Sequence, residues 1–352
     1  MSYKKIALFF DGTWNTPDDT SDDGDPNTET NVPIMHRCVL PRDENGVIQK
    51  AWYTSGVGTK WYDRIRGGAF GSGLSDKIKE GYEYLSQNYD DGDKVYIFGF
   101  SRGAYTARSL VGLIRNSGLL KKDTISELDY AYELYRTKDA GADSENAKFF
   151  RSKFSRMIEI ECLGVWDTVG ALGIPLNSFE WFNKERYEFH DTELSGIVRN
   201  AFHAVAIDEH RKDYDATMWD PKTKPNQRIE QMWFCGAHSN VGGGYLNDSL
   251  PYEPLKWMIE RAKSCGLALD AAPEPDQSVV KSITDSYSEF LGGIYKWLNN
   301  RYYRKIGTTA FGGESIDISV QDFCMQNPEY KPKNHVGESL SGNFKPSGRI
   351  HC

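Results

Sequence analysis

The stretch Asp93–Ile114, DKVYIFGFSRGAYTARSLVGLI, constrains the fold of this chain more than any other. β-Formers from Val95 to Phe98 run into Gly99-Phe100-Ser101-Arg102-Gly103, and small or apolar residues then recur at helical spacing at Ala104, Ala107, Val111 and Ile114. A strand, a sharp turn and a helix follow one another with no room for a loop. The turn has the Gly-x-Ser-x-Gly form of a nucleophile elbow, in which the serine is strained and the glycines let strand and helix pass closely. Ser101 is the first candidate for chemistry.

An elbow of this kind needs flanking strands, and the chain supplies them. Ile6–Phe10 is a continuous apolar run, and Ala51–Thr54, Ile158–Val165, His203–Ile207 and Met232–Ala237 read as further strands. Between them, Leu74, Ile78, Tyr82 and Leu85 share a helical face, residues 124–155 read as a polar helical cover, and Glu193–Ala201 and Pro254–Cys265 read as helices. Strands alternating with helices predict an α/β fold, α/β-hydrolase-like, with a mostly parallel central sheet and helices on both faces. The 352 residues divide into an expected hydrolase core over 1–265 and a helical or irregular extension over 266–352 packed on it. In that extension Phe290, Leu291, Ile294, Trp297 and Leu298 share one helical face before Arg301, Tyr302, Tyr303, Arg304 and Lys305. A buried helix with a polar end is the favoured reading, and a lipid-facing element is the alternative.

Several function classes are disfavoured. A formal charge of −8 argues against general nucleic-acid binding, which needs clustered Lys and Arg. The six cysteines are scattered without a Cys-x-x-Cys pair, so they read as reduced, with neither a zinc site nor a disulfide framework. Asp19-x-Ser21-x-Asp23-Gly24 resembles the start of a calcium loop, but Thr30 stands at the twelfth position, where a bidentate glutamate is required. The glycine-rich 67–73 segment lacks the lysine and Ser/Thr of a phosphate loop. No metal and no cofactor are expected. The apolar run after Lys4-Lys5 is too short for a signal-peptide core, and no stretch approaches the ~18 apolar residues of a membrane span, so cytoplasmic synthesis is expected.

In parallel sheets ligands bind beyond the carboxyl ends of the strands. Asp11, Ser101, Asp167, Asp208 and His238 each follow a predicted strand. A serine hydroxyl needs a base to take its proton and a carboxylate to orient that base, and the α/β-hydrolase order is Ser, acid, His. His238 is the preferred base: His203 reads as sitting at a strand start, and His210 lies in the charged run Asp208–Lys212. Local chemistry leaves Asp167 and Asp208 nearly even as the acid. The oxyanion hole would use the backbone N–H of Arg102 and one from Gly12-Thr13, a loop that Asp11 is placed to hold.

Asp11-Gly12-Thr13-Trp14-Asn15, Gly56-Val57-Gly58-Thr59, the elbow through Tyr105, Gly164-Val165-Trp166-Asp167-Thr168 and His238-Ser239-Asn240-Val241-Gly242-Gly243-Gly244-Tyr245 occur in this order. Together they resemble the α/β-hydrolase domain of Tle-like type VI secretion phospholipase effectors and related hydrolases. The resemblance implies a Ser101–Asp167–His238 triad, favours Asp167 over Asp208, and implies carboxylic ester hydrolysis, most readily of phospholipids in the phospholipase A manner. Within these motifs Asp11, Trp14 and Tyr245 are read as substrate-binding. A lipid or small ester, transient contact with a membrane surface and delivery by type VI secretion are the partners and route implied. Esterase action on a soluble metabolite and a non-catalytic binding module are the alternatives. Asn240 departs from the family pattern, which usually has aspartate there.

Overall fold

The computed structural model describes residues 3–12, 29–56, 69–137, 141–169, 194–220, 224, 226–275, 281–309 and 313–337, with the side chains of 69–72 and 291 outside the description. A seven-stranded sheet runs through it: β1 (Lys5–Phe10), β2 (Gln49–Thr54), β3 (Lys94–Phe100), β4 (Ile160–Trp166), β5 (Val198–Ala206), β6 (Arg228–Phe234) and β7 (Glu314–Ile316). Every neighbouring pair is parallel, in the order β2-β1-β3-β4-β5-β6-β7. The direction of strand addition reverses at β1 and β3, and a crevice opens at the carboxyl ends of strands at such a point.

The continuous apolar runs of the sequence are explained by burial on both faces. From β1, Ile6, Leu8 and Phe10 join Leu74, Ile78, Tyr82 and Leu85 of α2 (Ala69–Asn88) and Ala104, Ala107 and Val111 of α3 (Arg102–Ser117). The alternate residues Ala7 and Phe9 join Val32 and Met35 of α1 (Asn31–Cys38) on the other face. Leu255, Met258 and Ile259, from the 13-residue helix Tyr252–Ser264, complete that second core.

Three expectations change, and one is resolved into separate elements. Glu193–Ala201 is not helical where described: Gly196 and Ile197 form a turn, and β5 begins at Val198. Strands on both sides claim this backbone, and Arg199 and Asn200 reach back to β4 and the residue before it, bonding Glu159 Oε2 and the Glu161 carbonyl. The polar helical cover after α3 consists of a 3₁₀ segment, Lys122–Glu127, followed by α4 (Leu128–Arg136) and α5 (Glu145–Phe154); Ser144 caps α5 by accepting the Ala147 N–H. Phe290–Leu298 is not a buried helix. Gly292 and Gly293 take φ of 60° and 86°, which ends any right-handed helix, and leave short turns from which Trp297, Leu298 and Ile294 project at 83%, 73% and 59% exposure. Cys324 is disulfide-bonded rather than reduced, whereas Cys38, Cys162, Cys235 and Cys265 are free thiols.

Candidate active site

Ser101 joins β3 to α3 with φ 56° and ψ −119°, a left-handed conformation costing about 1–3 kcal/mol for a non-glycine residue. The glycines around it are required by close approach. A Cβ on Gly99 would lie 2.4 Å from the Gly103 carbonyl oxygen, and one on Gly103 would lie 2.1 Å from the Phe10 carbonyl oxygen. The elbow is therefore wedged against the end of β1, and the Ser101 N–H is fixed to the Trp166 carbonyl at the end of β4, 3.1 Å away.

His238 opens α6, a short helical segment from His238 to Gly242, where β6 ends. Its Nε2 is 2.8 Å from Ser101 Oγ and its Nδ1 is 2.6 Å from Asp167 Oδ2. All three side chains are buried, Ser101 at 4% exposure and the others at essentially none. Asp167 follows β4 with φ 36°, a second strained non-glycine residue, and its Oδ1 accepts the Ala206 N–H at 3.0 Å. Phe100 and Tyr214 flank the imidazole, with ring centroids 4.7 and 5.4 Å away.

Electrostatics separate the titratable groups. Burial pushes the Asp167 carboxyl up, but Arg304 and His238 outweigh it and hold it below the ordinary carboxylate range. Burial lowers the His238 imidazole, against the opposing pull of Asp167 and Glu209. Asp208 goes the other way: burial raises it, opposed by the Gly236 N–H and the Tyr330 hydroxyl, which donate to Oδ2 at 2.8 Å each. Asp208 is thus engaged with backbone and Tyr330, and the imidazole of His238 faces Asp167.

The other expected positions fall as follows. Asp11 Oδ1 accepts the Thr30 hydroxyl at 2.6 Å and the Gly12 N–H at 2.7 Å, and Oδ2 accepts the Tyr53 hydroxyl at 2.8 Å. Asp11 therefore holds its loop, and the Gly12 N–H, expected to point at a substrate, is already engaged. Arg102, the residue after Ser101, opens α3. Tyr245 is half-buried past α6, its hydroxyl bonded to Ser239, and burial pushes its phenol up. Thr13, Trp14 and most of the calcium-like loop lie outside the described residues. His203 sits well inside β5, not at its start, with Nε2 accepting the Thr168 N–H at 3.1 Å. Burial, aided by Arg108, lowers it to about 3, so it is a neutral core histidine.

Three site features were not legible as such. The charged 208–212 run contains buried Asp208, Glu209 and Arg211. Glu209 binds Arg211 at 2.8 and 2.9 Å and accepts the His238 N–H at 3.3 Å. Arg304 reaches Asp167 from the C-terminal segment; only its place in a cationic run marked it. Asn240 donates to Asp248 Oδ2 at 2.8 Å and accepts from Ala237 N at 2.9 Å. An aspartate at 240 would set two carboxylates together, whereas the Asn240 amide donates to Asp248. Among the described residues no group of three or more His, Cys, Asp or Glu could hold a metal ion, and no helix is long and apolar enough to cross a membrane.

Comparison with known proteins matches residues 4–261 to the family described as T6SS, phospholipase effector Tle1-like, catalytic domain. The uncharacterized protein YEL023C of Saccharomyces cerevisiae is 26% identical over 348 residues, covering 90% of this chain and 48% of the relative. An uncharacterized Pseudomonas aeruginosa protein of known crystal structure superposes with a TM-score of 0.42 at 19% identity, covering 85% of this chain and 51% of its own. The Tle1 effector bound to the VgrG spike of the type 6 secretion system gives 0.41 at 19%, covering 69% and 51%. The chain thus spans about half the length of the proteins it matches.

Proposed function

The chain belongs to the Tle1-like phospholipase effector catalytic-domain family, and from that premise we propose that it is a serine hydrolase cleaving carboxylic esters of phospholipids. The observation that carries this is the unbroken line Asp167–His238–Ser101 at 2.6 and 2.8 Å. His238 Nε2 takes the Ser101 proton as Oγ attacks the ester carbonyl, and Asp167 holds Nδ1–H and stabilises the imidazolium. The backbone N–H of Arg102, the residue after the nucleophile, stabilises the tetrahedral oxyanion. His238 then returns its proton to the leaving alcohol. Water activated by the same nitrogen releases the acyl group, and Ser101 is regenerated. No metal enters these steps.

A lipid substrate is supported by the exposed Ile294, Trp297 and Leu298 with Lys296 between them. Phe290, at the start of the same segment, packs on Tyr214 at 5.9 Å, and Tyr214 packs on His238, so this apolar knob stands beside the site. It has the amphipathic chemistry that suits an anionic lipid interface. Delivery through a type VI secretion system is part of the same proposal, on family membership alone.

The test is product analysis on a mixed lipid extract with Ser101→Ala as control. Fatty acid and lysophospholipid should appear with the wild type, and kcat should fall by about 10⁶ in the variant. Turnover in Ser101→Ala within a few fold of wild type sinks the mechanism. Hydrolysis of short soluble esters with none of vesicles would move the substrate to a soluble metabolite.

A further inference from the structure

We propose that Arg304 is a positioning residue for the hydrolytic reaction, which makes the C-terminal segment that carries it part of the catalytic unit. The inference rests on the triad proposed above and adds a fourth member from outside the matched family domain, which stops at residue 261.

Arg304 is fully buried and grips both oxygens of Asp167, Nη1 on Oδ1 at 2.6 Å and Nη2 on Oδ2 at 3.0 Å. The same nitrogens donate to the carbonyls of Ala206, at 2.8 Å, and Tyr214. The guanidinium thus spans the end of β5 and the Tyr214 turn beside His238. Its Nε, also buried, has no acceptor among the described residues, so the side chain is set for its two terminal nitrogens. Asn334 Nδ2 holds the Arg304 carbonyl at 3.1 Å and that of Ile207 at 3.0 Å, tying the segment that carries Arg304 to the end of β5. A bidentate fork fixes the plane of a carboxylate, which a point donor cannot do. With that plane fixed, Oδ2 is left facing Nδ1 of His238.

The fork has a second consequence. Among the described residues, the other charges acting on His238 are Glu209 and Arg211, paired with each other; Asp215 acts on Arg304 from its far side, and His203, beside Arg108, is neutral. Arg304 therefore balances the buried charge of Asp167 while His238 is neutral. Without it, protonating His238 would be the nearest way to balance that carboxylate, and the base would be lost at mildly acidic pH.

The rate of Ser101 labelling by a fluorophosphonate, followed against pH, reads the state of His238 without choosing a substrate. Arg304→Met should move the acid limb up by ~1 unit or more, since a facing charge shifts a pKa by ~1–3 units. Arg304→Lys keeps the charge without the fork, so its limb should stay near that of wild type while the plateau rate falls about tenfold. An unmoved limb in Arg304→Met, or a wild-type plateau in Arg304→Lys, overturns the proposal. If Arg304→Met does not fold, Arg304→Lys decides. Loss of folding in Arg304→Lys as well overturns it, because the residue would then hold the fold rather than the acid. Labelling of Ser101→Ala at the wild-type rate would instead refute the nucleophile, a distinct result.

Discussion

Asp167 and Asp208 follow neighbouring parallel strands, are both buried, and have opposite surroundings. Asp167 meets a guanidinium and an imidazole, and its carboxyl is held down. Asp208 meets a backbone N–H and a phenol, and burial drives it up. Equal burial produces opposite shifts because, among the described residues, Asp167 has a cation within hydrogen-bonding distance and Asp208 has none. An acid that must stay ionised while it orients a base needs the first environment. The second suits a carboxylate that ties loops together: here it joins the Gly236 turn to Tyr330 of the C-terminal segment.

The largest expected consequence of this difference is catalytic. Asp167→Asn should lower kcat by roughly 10⁴ through the wrong imidazole tautomer, while Asp208→Asn stays within a few fold; reversed values would exchange the two roles. Next is the contact with lipid beside the site. Trp297→Ala should cut turnover on anionic vesicles by roughly tenfold and leave short soluble esters unaffected, since burying such a side chain is worth ~1.5–3 kcal/mol. An equal loss on both substrates would show that the residue supports the site and not the interface.

The pH dependences should separate the two acids further. Because burial lowers His238, kcat/KM should hold below the ordinary imidazole value of ~6.5 before it falls. A limb above that value would contradict the buried neutral imidazole. For stability the signs are opposite. The depressed Asp167 stabilises the fold above the unfolded carboxylate value of ~3.9 and loses that contribution as pH falls through its folded value. The raised Asp208 does the reverse: its contribution is complete below ~3.9 and is lost as pH rises through its folded value. Melting curves should therefore show the deficit of Asp167→Asn growing from pH 2 to 5 and that of Asp208→Asn shrinking above pH 4. The smallest effect is Tyr330→Phe, about 1 kcal/mol with near-normal kcat, from one lost hydrogen bond; a large fall in kcat would tie Asp208 to the chemistry.

The apolar runs around Ile6–Phe10 and Val95–Phe98 were legible because residues buried on both faces of a parallel sheet leave a continuous hydrophobic signature. The elbow was legible because its strain and close approach demand glycine at particular positions. β5 was misread as a helix over 193–201 because polar Arg199 and Asn200 mask pairing that comes from strands far away in the chain. β7 escaped notice because three residues, Glu314–Ile316, carry no periodicity. Phe290–Leu298 has a helical apolar pattern, but two left-handed glycines break it.

The sequence by itself determined the parallel sheet, the strained serine and a short roster of candidate acids and bases, since each depends on residues close together in the chain. Only the tertiary structure decided which carboxylate faces His238. That choice depends on Arg304, which contacts Asp167 from 137 positions away and leaves no local trace at either residue.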